Sequence, residues 1–65
     1  MTYNVIVTKF LEIPKNLFVQ NYESEEAAIS SAKENLLSLN GDYAVVVKVE
    51  NGISKVIHRF EPIKK

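Results

Sequence analysis

Two residues, Asn51 and Gly52, do most to limit what this chain can fold into. They separate two runs, 42–50 and 53–61, that are rich in β-branched and aromatic side chains. A two-residue hairpin loop of type I′ needs positive φ at both central positions, and an Asn-Gly pair meets that need at the least steric expense. A loop of that length also sets the register by counting. Glu50 should face Ile53, Val49 Ser54, Lys48 Lys55, Val47 Val56, Val46 Ile57, Val45 His58, Ala44 Arg59 and Tyr43 Phe60.

The segment before this hairpin supplies the other elements. Residues 3–12 (YNVIVTKFLE) read as a strand, because such side chains suit a pleated surface and lose χ1 freedom in a helix. Pro14 and Asn16 mark a loop at 13–16, and 17–22 reads as a shorter strand. A helix is predicted over 24–39. Ser24 is its N-cap, Glu25 and Glu26 lie in the first turn where the macrodipole favours them, and Ile29, Ala32, Leu36 and Leu39 form an apolar stripe widened by Ala28. Gly41, after Asn40, is expected to end the helix in the left-handed conformation. Residues 1–61 therefore form one α+β domain in ββαββ order, followed by a tail at 62–65. The expected architecture has two layers, a four-stranded and mainly antiparallel sheet with one helix packed on one face. Were 17–22 irregular, the order would be βαββ.

Composition narrows the chemistry. With no cysteine and a single histidine, neither a disulfide nor a Cys/His zinc site can be built. Eight basic and eight acidic residues cancel, so the chain lacks the positive footprint of a duplex-binding protein and the acidity of a DNA mimic. Gly41 and Gly52 are the only glycines, which leaves no phosphate-cradling loop. No apolar run approaches the length of a membrane span, and no basic stretch precedes one, so a cytoplasmic setting is expected.

The layout, together with the opening Met1-Thr2-Tyr3 and its alternating strand, resembles the immunoglobulin-binding domains of streptococcal protein G. That resemblance implies two hairpins flanking a helix, with the first and last strands paired in parallel. It does not extend to the tryptophan of those domains, which this chain lacks, and antibody binding is not carried over.

Alternation sorts the strand residues onto two faces. Tyr43, Val45, Val47, Val49, Val56 and Phe60, with His58 among them, make the more apolar side of the hairpin and are expected to meet the helix. Tyr3, Val5, Val7 and Leu11 should join them from the first strand, and Phe18 and Tyr22 from the second. Ile6, Phe10, Leu17, Val19, Val46, Ile53 and Ile57 then fall on the side one helix cannot cover, with Lys48, Lys55 and Arg59 among them. A contiguous apolar patch of that size marks a surface something packs on. The expected partner interface is accordingly Ile6, Phe10, Leu17, Val19, Val46, Lys48, Lys55, Ile57 and Arg59.

No constellation of catalytic residues competes with this. His58 has Val45, Val56 and Phe60 as its expected neighbours and reads as a partly buried structural residue. Glu23, Glu25 and Glu26 at a helix start serve the dipole and lack further ligands for a cation. No enzyme activity, cofactor, metal or small-molecule ligand is expected. The function expected is a small protein-interaction module acting through its uncovered sheet face or an edge strand, as a homodimer or as an inhibitor or adaptor from a phage or mobile element. The alternative is a weak single-stranded nucleic-acid-binding domain, with Lys48, Lys55 and Arg59 beside Phe10.

Overall fold

The computed structural model describes residues 1–62. Its elements are β1 (Thr2–Lys9), β2 (Lys15–Tyr22), α1 (Glu25–Ser38), β3 (Tyr43–Glu50) and β4 (Ile53–Phe60), the expected ββαββ order. The strands form one sheet in the order β2-β1-β3-β4, and every neighbouring pair is antiparallel. The parallel pairing implied by the likeness to protein G is absent, since β1 lies between β2 and β3 while β4 is an edge. Of the tail expected at 62–65, only Pro62 is among the described residues.

Local chemistry explains most of the element boundaries. Ser24 caps α1 by accepting from the Ala27 amide at 3.4 Å, and Glu25 and Glu26 occupy the first turn. At the other end the Gly41 amide donates to Leu36 O and the Asn40 amide to Leu37 O, the two bonds of a Schellman closure. Here the expectation for Gly41 is corrected. Asn40 takes the left-handed conformation (φ 53°), and Gly41 is needed for a different reason, because a β-carbon on it would collide with Val7. At the β3–β4 turn Asn51 and Gly52 both have positive φ (52° and 77°), as a type I′ loop requires. β1 stops three residues earlier than expected. The Phe10 amide turns to the Asp42 carboxylate and the Lys9 ammonium to Asn40 O, so the loop is 10–14 and Lys15 already pairs with Lys9.

The core is thin and built from small side chains. Val5, Val7, Val46, Ala28, Ala32 and Ala44 are fully buried, with Tyr3 and Leu36 nearly so, and Phe18, Tyr22, Ile57 and Phe60 close its sides. Alanines at 28 and 32 let the helix backbone sit close to the sheet, and Ala44 and Val46 are the small partners that approach allows. The buried stripe of the helix is thus Ala28, Ala32 and Leu36. Ile29 is half-buried and Leu39 is exposed.

Both edge strands carry an extra residue. In β2 the pairing passes from Phe18 opposite Val7 to Asn16 opposite Thr8, leaving Leu17 without a partner. In β4 it passes from Val56 opposite Val47 to His58 opposite Val46, leaving Ile57 out. Register counted from the turn therefore holds from Glu50–Ile53 to Val47–Val56 and is shifted by one beyond it. Arg59 lies opposite Val45 and Phe60 opposite Ala44.

Candidate functional site

The fold leaves one broad surface, the side of the sheet away from the helix. Because Val5, Val7, Ala44 and Val46 point into the core, alternation sends Ile6, Tyr43, Val45, Val47 and Val49 the other way. Cross-strand pairing aligns these into rows. Val19, Ile6, Val45 and Arg59 lie in one line across all four strands, and Asn21, Asn4, Val47 and Val56 form the next. Ile6, Val45, Val47 and Val49 are half-buried by their neighbours, while Val19 and Val56 are 58% and 56% exposed. At one end Phe10 packs on Tyr43 with ring centroids 5.2 Å apart. The Arg59 guanidinium lies 4.7 Å over the Tyr43 ring and also meets Glu61 at 3.1 Å.

Four of the nine expected interface residues, Ile6, Phe10, Val19 and Arg59, belong to this surface. Four others do not. Val46 is fully buried, and Ile57, the unpaired residue of the β4 bulge, packs against the core on the same side. Lys48 and Lys55 face each other as expected, but on the side of Val46. Leu17 is the unpaired residue of its bulge and half-buried. Tyr43, Val45, Val47, Val49 and Val56 also lie on this face, against the expectation from alternation that they meet the helix. Apolar residues fill both faces of β3, so alternation alone does not choose between them. The usable signal was the pair of helix alanines, which calls for Ala44 and Val46 opposite.

His58 does face the helix side, with its ring stacked on Phe60 at 6.0 Å, but it also has a partner that was not expected. Its Nε2 lies 3.1 Å from Glu25 Oε2 in the first turn of α1. The pair is partly exposed, and among the described residues no third acidic, histidine or cysteine side chain joins it to make a metal site. Two depressions, of about 210 Å³ beside Lys48 and Ile53 and about 260 Å³ between Leu37 and Phe60, both fall below the roughly 300 Å³ at which small-molecule pockets begin.

Among the described residues no helix is long and apolar enough to cross a membrane. Compared with protein-family models, with curated proteins and with solved structures, the chain matches none.

Proposed function

We propose that this chain is a non-enzymatic protein-interaction module whose working surface is the uncovered sheet face. One observation carries the proposal. An apolar row, Val19–Ile6–Val45, crosses three strands on the side with no helix, and Val47 and Val56 extend it in the next row. Contiguous apolar surface left wet by a fold is a place where another surface packs. Both edge strands are interrupted by a bulge, a device that disfavours strand addition, so the face is favoured over the edge. A role as inhibitor or adaptor, in a cytoplasmic setting, belongs to the same reading. Affinity capture from the native host with three baits tests it: the parent, Val56→Lys on the face, and Ile53→Lys at the hairpin tip on the opposite side. A partner lost only with Val56→Lys supports the module. A partner held equally by all three removes the face from consideration.

A second reading is favoured by the Phe10–Tyr43–Arg59 cluster. Aromatic rings with a guanidinium on an open sheet form a stacking platform for unpaired bases. Arg59 is, however, already paired with Glu61, and the lysines assigned to this face lie on the other one. Titration with a fluorescent single-stranded oligonucleotide at rising salt decides the matter. Binding that weakens with salt and disappears in Tyr43→Ala supports this reading, and no binding at low salt ends it.

A further inference from the structure

We propose that the uncovered face is closed by a second copy of this chain, the two sheets packing face to face about a two-fold axis. The inference rests on the interaction-face reading above and names its partner. Three observations point to a copy of the same chain.

The first is charge. The residues of the four strands that point to this side include no lysine, aspartate or glutamate. The one charged side chain is Arg59, on the edge strand β4, and Glu61 already neutralises it. Across a two-fold axis each residue near the axis meets its own copy, so any charge there opposes a like charge. A neutral chain could have placed its sixteen charged residues anywhere. Apart from the Arg59–Glu61 pair at the edge, the strand residues of this face carry no charge, as a self-complementary contact requires. The polar residues beside the apolar rows, Asn4 and Asn21, carry both donors and acceptors and can therefore bond to their own symmetry mates.

The second is area. Four strands of eight residues each, about 4.8 Å apart and with a rise of about 3.3 Å per residue, outline a face of about 19 by 26 Å. Two such faces cover about 1,000 Å² in outline, roughly what a specific interface needs. The whole face is required to reach that figure, and a copy of the same sheet is the partner whose extent matches it throughout.

The third is the core. Its largest fully buried side chains are Val5, Val7 and Val46, and the other fully buried residues are alanines. A domain this small buries only about 60% of its unfolded surface and is marginal by itself, and disulfides, a metal or a second chain are common additions at this size. With no cysteine in the sequence and no metal-binding cluster among the described residues, a second chain is the addition open to this one.

Sedimentation equilibrium of the full chain at micromolar concentration tests the proposal. The expected mass is twice 7.4 kDa. Val56→Lys and Val47→Lys should weaken association about 100-fold or more, because each leaves a charge buried without a partner. Ile53→Lys should leave the dimer intact. Circular dichroism of each variant separates dissociation from unfolding, and Val56 sits at an exposed edge where lysine is compatible with the fold. A parent that stays at 7.4 kDa overturns the dimer. In that case, capture of a different protein that Val56→Lys abolishes keeps the interaction module, and its absence ends both. A dimer that survives Val47→Lys and Val56→Lys overturns the assignment to this face.

Discussion

Gly41 lies so close to Val7 that a β-carbon on it would stand 2.5 Å from Val7 Cγ1, with Leu36 Cδ1 at 3.3 Å. Val7 is fully buried and Leu36 nearly so, and neither has room to withdraw. Gly41→Ala is therefore expected to lower stability by about 1–3 kcal/mol through overpacking. At an unstrained, open position the same exchange would raise stability by about 0.4–1 kcal/mol. Urea denaturation gives the sign directly. Asn40→Gly is the control: its φ of 53° suits glycine, so it should change stability little.

Gly52 presents the opposite case. Nothing lies within 4 Å of where its β-carbon would be, but its φ is 77°. Gly52→Val should cost about 1–2 kcal/mol from backbone strain alone. A thermal unfolding midpoint equal to that of the parent would contradict the type I′ turn.

Ile57 separates what the sequence discloses from what it conceals. The turn chemistry at Asn51-Gly52, the cap at Ser24 and the β-branched runs are local signals, and each led to the correct element. A bulge has no comparable residue signature. Ile57 resembles any strand residue, yet its insertion moves His58 opposite Val46 and reverses which β3 residues share its face. The uncovered surface was foreseen, but only Ile6, Phe10, Val19 and Arg59 were correctly placed on it, because the apolar run 43–47 offers both faces equally. Deleting Ile57 should leave every other β3–β4 pair in place, since Val56 and His58 already alternate correctly about Val47 and Val46. The variant should fold, lose about 1–2 kcal/mol with the half-buried isoleucine, and associate more readily through its straightened edge. Amide exchange of β3 and β4 checks the pairing, and a collapse of protection along β4 would argue against it.

His58 and Glu25 tie the edge strand to the start of the helix, 3.1 Å apart and partly exposed. Pairs in that setting contribute about 0–1 kcal/mol. His58→Gln, Glu25→Gln and the double variant should give a coupling energy below about 1 kcal/mol in a double-mutant cycle. A larger coupling would mean that the contact does more than fasten β4 to α1.

Val46 and Val47 are adjacent in β3 and face opposite ways, so truncating each reports which side of the sheet is the core. Val46 is fully buried under the helix and touches the small residues that let α1 sit close. Val46→Ala removes two methyl groups from a filled space and leaves a cavity, for an expected loss of about 2 kcal/mol at every protein concentration. Val47 is half-buried among Asn4, Val56 and the valines on either side of it on the uncovered face. In an isolated chain Val47→Ala should cost less than about 1 kcal/mol, because solvent or neighbouring side chains fill the space. If a second copy covers the face, binding adds to stability by mass action and the unfolding midpoint of the parent rises with concentration. Val47→Ala should flatten that dependence while Val46→Ala leaves its slope unchanged. Thermal melts of the three proteins over a hundredfold range of concentration read both effects. Equal losses at the two positions, with no concentration dependence, would mean that the two sides of β3 are buried alike and that the uncovered face is wrongly assigned.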